Sequence, residues 1–446
     1  MPDFDLLLTD GEIVTPSGRG PAAIGIRDGR IAAIGDLGGA AAAERISVSG
    51  LTVLPGVIDS QVHFREPGAT HKEDLESGTR AAAMGGVTAV FEMPNTAPQT
   101  VDAAAIQDKL DRAAGRAHVD HAFFVGATGG NADLLGALER LPGVCGVKIF
   151  MGSSTGGLLL PDDGGLARAL RSGVRRIAIH AEDDLRLTAR KDLAEAGRPE
   201  THPVWRDEET AIRATRRILH LASAAGRRIH VLHITTAQEM ALLAEFKDLA
   251  TVEVTPQHLT LAAPDCYAEL GTHAQMNPPI RDAHHRAALW QAVADGVVDV
   301  IGSDHAPHTA EEKAKDYPAT PSGMPGVQTL VPLMLNHVAA GRLSLERFVD
   351  LTSAGPQRIY GIAGKGRIAV GYDADFTIVD LGAKRRIEQD WLASRCGWSP
   401  FAGMNVSGWP VMTVIRGQVV MRDDELLAPG LGRPCRFVET LPTRPL

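Results

Sequence analysis

The chain is poor in cysteine, with four in 446 residues. Cys145, Cys266, Cys396 and Cys435 lie far apart and form no Cys-x-x-Cys pair, which excludes a disulfide framework and a thiolate zinc site. An excess of positive charge is also missing. Lys plus Arg number 45 and Asp plus Glu 54, a formal charge of −9, so no electrostatic footprint for nucleic acid or an anionic membrane exists. The basic runs Arg168–Arg176 and Arg213–Arg217 sit on helix-like stretches and read as solvated faces. Nowhere do about 18 apolar residues run together. Met1-Pro2-Asp3-Phe4-Asp5 is acidic where a secretory leader would be basic, and a cytoplasmic protein is expected.

With 44% hydrophobic residues and a mean hydropathy of −0.04, a sizeable core is available and bulk disorder is excluded. Short strand-like runs separated by turn signals such as Asp10-Gly11 and Asp28-Gly29 fill the first 54 residues: Leu6–Leu8, Glu12–Val14, Ile24–Ile26, Ile31–Ile34 and Leu51–Leu54. The same texture returns at Asp375–Asp380, Val411–Arg416 and Val419–Met421. One small β-sandwich domain from both termini, residues 1–54 and 367–446, is the expectation.

Residues 55–366 read differently. Eight apolar, β-branched runs begin at Gly56, Thr88, His121, Gly146, Arg176, Ile229, Thr251 and Val298. Between them lie stretches of helical spacing such as Asp74–Met84, Ala103–Ala114, Glu208–Ala225 and Gln238–Phe246. Eightfold alternation predicts an α/β fold, a distorted (β/α)8 TIM-type barrel. A doubly wound sheet would need a Gly-rich phosphate turn after its first strand. That turn is absent; Gly126–Gly130 follows the third run and lacks the rest of the fingerprint.

Polar residues close nearly every apolar run: Asp59, Gln61 and His63 on the first, Asn95 on the second, Lys148 on the fourth. His180 and His233 close the fifth and sixth, and Asp304, His305 and His308 the eighth. In a barrel these ends converge on one mouth. A lone strand-end histidine is commonly structural, but several at corresponding positions are not independent. His63, His180, His233 and Asp304 have the ligand types for zinc or a similar divalent ion. His305 and His258 read as supporting or packing residues, and His71, His118, His202, His220, His284 and His285 as surface positions. A protonated Lys148 beside a cation is electrostatically wrong, so it must lose its charge, move away or be modified. Carboxylation by CO2 would make it an anionic bridging ligand.

The segments Gly56–Gly68, Glu92-Met93-Pro94-Asn95-Thr96, Val147–Gly152 and Ile179-His180-Ala181-Glu182 resemble, in order, motifs of the dihydroorotase family in the amidohydrolase superfamily. So do Leu232-His233-Ile234, Met276–Arg281, Gly302–His308, Ser399-Pro400-Phe401 and Gly408-Trp409-Pro410. The resemblance implies the same barrel and β domain, and reversible hydrolysis of dihydroorotate to N-carbamoyl-aspartate in pyrimidine biosynthesis by metal-bound hydroxide. It implies carboxylated Lys148 bridging two Zn2+ ions, His180 and His233 on one, His63 and Asp304 on the other, with Asp304 as proton shuttle. It assigns Arg65, Asn95 and His308 to the substrate carboxylate and Asn277 to the ring. Hydantoinases and allantoinases resemble the metal ligands but lack the Arg65 pattern, so a carboxylate-bearing ring is favoured.

One position departs from the family: Gln61 stands where its His-x-His motif has the first histidine. A neutral amide oxygen binds zinc less strongly than imidazole, so one tightly held ion is expected rather than two. Some dihydroorotase-like chains are inactive partners of aspartate transcarbamoylase; retention of five of six ligand positions here favours catalysis. A related cyclic amidase is the other alternative. The resemblance further implies a homodimer or homotetramer acting on a small-molecule substrate. Thr309–Gly326, rich in Glu, Lys, Pro and Gly, reads as a long mobile loop beside the mouth that could cover the substrate.

Overall fold

The computed structural model describes residues 2–154 and 157–441. Eight parallel strands pair in sequence order: Val57–Val62, Val87–Glu92, Asp120–Gly126, Val144–Phe150, Ile177–His180, Ile229–Val231, Ala250–Val254 and Val300–Ile301. Every residue in them is buried, because helices cover the outer face while side chains fill the interior. The sheet closes where the His63 N–H donates to the His305 carbonyl at 2.7 Å and Val62 bridges His305 in parallel. With a last strand of only two residues, this is a (β/α)8 barrel distorted at its seam.

The four helices read from spacing form within two residues of the expected limits, at Leu75–Met84, Ala103–Ala113, Glu208–Ala225 and Ala237–Ala244. Side-chain caps set their starts: Asp74, Asp102, Asp207 and Thr236 each accept a backbone N–H of the first turn, a contribution of about 1 kcal/mol apiece.

The terminal segments form a sandwich. Phe4–Thr9, Ala23–Arg27, Arg30–Gly35 and Ala42–Ser47 make a four-stranded sheet. Glu12–Thr15, Gly18–Pro21 and Thr52–Pro55 join Phe376–Arg386, Asn405–Ile415, Gln418–Arg422 and Glu425–Leu426 in a seven-stranded one. Leu6, Leu8, Ile24, Ile26, Val53, Phe376, Met412 and Val414 pack in one cluster of this unit. Sequence reading misses Gly18–Pro21 and Ala42–Ser47, which carry little apolar alternation; pairing with Glu12–Thr15 and Phe4–Thr9 recruits them.

An ionic cluster ties the two units together. Asp120, opening the third barrel strand, accepts Arg416 on both oxygens at 2.6 Å and also pairs with Lys365. Lys365 reaches Asp375 at 2.5 Å as well. Among the described residues no helix is long and apolar enough to cross a membrane.

Thr309–Gly326 departs from the expectation of a mobile loop. A helix spans Ala310–Lys313, and the buried Lys313 ammonium donates to the carbonyls of Gln275 at 3.2 Å and Pro321 at 3.0 Å. Tyr317 is buried and Gly323 N–H donates to Gln275. Its polar composition hides these inward anchors.

Candidate active site

The carboxyl ends of the barrel strands open on a cavity of about 360 Å³. Of the ten candidate site residues, Gln61, His63, Arg65, Asn95, Lys148, His180, His233, Asn277 and Asp304 line it. Gln61 and His63 share the cavity because alternate residues of a strand face one side. Arg65, His233 and Asp304 have φ of 63°, 39° and 45°, in the left-handed region that non-glycine residues rarely adopt. Such backbone strain gathers at functional sites.

His180 Nδ1 lies 3.0 Å from His233 Nε2, while its Nε2–H donates to Glu182 at 2.9 Å. Arg206 clamps that carboxylate and also donates to the Ser153 carbonyl. Burial alone would raise the Glu182 pKa; Arg206 and His180 outweigh it and hold the acid well below the usual range. The carboxylate therefore fixes the His180 tautomer with the Nδ1 lone pair toward the cavity.

His63 places Nδ1 at 2.7 Å from Asn95 Oδ1 and Nε2 at 3.1 Å from Asp304 Oδ1. Burial lowers the His63 pKa despite Asp304. A neutral ring donating from Nδ1 thus sets a lone pair against a carboxylate oxygen, a repulsion that a cation or proton between them relieves. Gln61 Nε2 donates to the same Asp304 oxygen at 2.9 Å, and Gln61 Oε1 is buried with no partner among the described residues. Burial also lowers His180, and His233 well below its ordinary value, so these imidazoles are neutral as ligands require.

Lys148 is fully buried, and its Nζ finds no hydrogen-bond partner among the described residues. Burial pushes its pKa down to about 7. Arg65 donates from Nε to the Pro307 carbonyl at 3.2 Å and makes no ion pair among the described residues. Glu66, the rival partner, instead takes Arg116 at 2.9 Å and the Leu75 N–H.

His308 does not line the cavity. Its Nε2–H donates to the Ser322 carbonyl at 3.0 Å, its Nδ1 accepts from Lys72 at 3.0 Å, and it packs 3.4 Å behind Arg65. His258 and His305 are packing residues as read: His258 bonds Thr255 and the Pro278 carbonyl. His305 accepts the Gly326 N–H and faces Glu73.

The surface reading holds for His71, His220 and His284, all exposed, and fails for His118, His202 and His285, all buried. His202 matters most. It donates from Nε2 toward Asn277 Oδ1 at 2.9 Å, which turns the Asn277 amide to present its NH2 elsewhere. Asp282, His284 and His285 lie within 4.8 Å of one another, but Asp282 caps the helix Ala283–Ala294 and His285 pairs with Glu208.

Sequence reading also missed Glu182 and Arg206, although Glu182 stood in a quoted motif two residues after His180. Gly323 in the cavity wall is a steric requirement: its φ is 139° and a Cβ would sit 2.5 Å from the Ala306 carbonyl.

The chain matches the Amidohydrolase family over residues 176–420 and the Dihydro-orotase-like family over residues 50–130. It is 41% identical to a dihydroorotase of Halobacterium salinarum, covering 84% of this chain and 88% of that one. It is 38% identical to a dihydroorotase of Methanosarcina mazei over 93% of each. An allantoinase of Escherichia coli is 34% identical over 94% of this chain and 95% of its own. The solved L-hydantoinase from Arthrobacter aurescens superposes with a TM-score of 0.92 at 32% identity, covering 96% of this chain and 99% of that one. With its closed barrel, terminal sandwich and these relatives, the chain belongs to the amidohydrolase family, in its dihydroorotase-like branch.

Proposed function

We propose that the protein is a dihydroorotase that reversibly opens the dihydroorotate ring to N-carbamoyl-aspartate. One observation carries the substrate choice: the buried Arg65 guanidinium faces the cavity and makes no ion pair among the described residues, Asp304, Glu92 and Glu312 acting on it only from beyond contact. Uncompensated, a buried charge of this kind is costly. A ring bearing a carboxylate would supply the missing partner bidentately, whereas an unsubstituted hydantoin would not.

The donor set fits a divalent metal. Neutral imidazoles face one another or a carboxylate, and Lys148 Nζ and Gln61 Oε1 are buried and find no partner among the described residues. His180, His233 and Lys148 would hold Zn2+, and His63 with Asp304 would offer a weaker second position. A zinc ion there supplies Lewis acidity, acidifying water and polarising the ring carbonyl.

The protein's own groups do the rest. A Lys148 amine titrating at about 7 is available as a free base to add CO2: its nitrogen bonds to carbon, a proton leaves, and a carbamate replaces the cation. Asp304, held on Oδ1 by the Gln61 amide, takes a proton from the attacking water and delivers it to the leaving ring nitrogen. Arg65 and Asn95 hold the carboxylate, with His308 buttressing Arg65. Asn277, turned by His202, reaches the ring. Gln61 serves as a positioning residue for Asp304, so the protein holds one tightly bound ion per chain.

Purified protein should open dihydroorotate with no transcarbamoylase present and act on hydantoin and allantoin far more slowly. Hydantoin or allantoin as the faster substrate would overturn the reading, and so would inactivity except with the transcarbamoylase. Elemental analysis should return one firmly held zinc per chain, rising toward two in Gln61→His. Two firmly held ions in the unsubstituted protein would refute the role given to Gln61.

A further inference from the structure

At the amino end of the barrel, opposite the active-site mouth, a second cleft of about 870 Å³ opens. Arg175 and Arg176 stand immediately before the strand Ile177–His180, and Arg228 before Ile229–Val231. With Arg358 they bring four guanidiniums to the cleft against one carboxylate, Glu439. The run Arg168–Arg176, which the sequence suggests is a solvated face, therefore ends in a concave wall.

The charges there are poorly neutralised. Glu439 is shared between Arg175 at 3.1 Å and Arg140 at 3.2 Å, and Arg358 is satisfied by Asp350 at 2.7 Å. Arg176 and Arg228 make no ion pair among the described residues. Arg176 reaches only the backbone carbonyls of Ile229 and Leu249, and burial and Arg228 lower its pKa more than Asp299 raises it. Arg175 Nη2 is buried and finds no hydrogen-bond partner among the described residues, while the guanidinium lies 4.8 Å over the Phe437 ring. Three other surface arginines do sit beside acids: Arg168 lies 2.5 Å from Asp133, Arg213 2.5 Å from Glu209, and Arg217 2.6 Å from Asp163. Like charges gathered without counter-charge cost stability unless an anion joins them. The lips of the cleft are apolar: Val174 is 60% and Val438 58% exposed, with Ile359 between the walls.

We propose that this cleft binds an organic phosphate of the nucleotide class. The phosphoryl group lies between Arg176 and Arg228 with Arg175 behind them, and the base rests on Val174, Ile359 and Val438. Guanidinium forks match phosphate oxygens, and a concave apolar wall suits a flat ring better than it suits an acidic protein surface. The inference is independent of the substrate assigned to the mouth.

Calorimetric titration of the full-length protein with AMP, UMP and inorganic phosphate tests it. A nucleotide should bind below millimolar concentration and more tightly than inorganic phosphate, and weaken roughly tenfold between low and 0.5 M salt. The exposed Arg228→Glu should abolish binding and Arg176→Gln should weaken it at least about tenfold, with dihydroorotate turnover in the absence of nucleotide unchanged. The proposal falls if neither nucleotide binds at millimolar concentration, or if inorganic phosphate binds as tightly. It falls equally if both variants retain affinity, if dihydroorotate displaces the nucleotide, or if a hexaglutamate peptide binds where nucleotides do not. Failure here with intact dihydroorotate turnover leaves the mouth assignment untouched; nucleotide binding by a chain that cannot open dihydroorotate does the reverse.

Discussion

Lys148 at the barrel mouth and Lys365 at the junction with the sandwich are both buried, and their surroundings treat them oppositely. Around Lys365, burial would lower the pKa, but Asp375 and Asp120 outweigh it and raise it, with Asp373 at 3.5 Å adding to the effect. Around Lys148, Asp304 and Glu253 fail to offset burial, and the amine falls to about 7. The junction has a carboxylate for each of its cations and is bonded throughout. The mouth leaves donor atoms without partners. Paired burial holds units together, whereas unpaired burial leaves groups poised for a ligand or a proton.

The contrast breaks if the mouth is structural or the junction catalytic. Asp304→Asn should lower kcat/KM for dihydroorotate about 10³- to 10⁴-fold, the span of general acid–base catalysis, with an unchanged thermal midpoint. Lys365→Met should do the converse. It strands Asp375 in the interior, Asp120 keeping Arg416, at about 3–5 kcal/mol, visible as a lowered melting temperature, while turnover per folded molecule stays within about twofold. An Asp304→Asn protein that melts early, or a folded Lys365→Met protein that is inactive, would reverse the assignment. Arg65→Ala sharpens it within the mouth. Loss of a bidentate pair worth about 2–3 kcal/mol should lower kcat/KM for dihydroorotate on the order of 10²-fold. The slow hydrolysis of an uncharged hydantoin should be spared, and an equal loss on both would show that Arg65 shapes the cavity rather than choosing the substrate.

The barrel was legible because strand and helix periods alternate eight times and nearly every strand end carries a polar residue that no core would place there casually. The mouth was legible for the same reason: its groups follow apolar runs directly. What stayed hidden depends on contacts between distant segments. Gly18–Pro21 becomes a strand only because Glu12–Thr15 pairs with it. His202, opening a helix of one turn (His202–Trp205) too short to show periodicity, becomes a buried support for Asn277 only once Tyr317 and Met276 close over it. His308 matched a motif, yet Ser322 and Lys72 occupy both its ring nitrogens. Lys313 and Tyr317 look like surface loop residues until the carbonyls and ring they meet are known.

At the water-facing rim the same charge chemistry should count for least, and Asp207 measures it. Its carboxylate caps the helix Glu208–Ala225 through the Thr210 N–H at 3.0 Å and takes Arg186 at 2.9 and 2.5 Å and Arg190 at 3.3 Å. Burial would raise the pKa; the bonds from Arg186 and Thr210 and the charge of Arg190 lower it to about 2. A folded pKa below the unfolded 3.8 means stability fully present above about pH 4 and lost as pH falls toward 2. Undamped, that drop would be worth roughly 2.4 kcal/mol; solvent screening at a half-buried site on the rim reduces it to about 1 kcal/mol. Asp207→Asn keeps a capping oxygen and removes only the charge. Urea melts of both proteins should therefore differ by about 1 kcal/mol at pH 6, with the difference shrinking as pH is lowered through 3 toward 2, and converge also in 0.5 M salt at pH 6. A difference independent of pH and salt would show that cap geometry, and not charge, stabilises this rim.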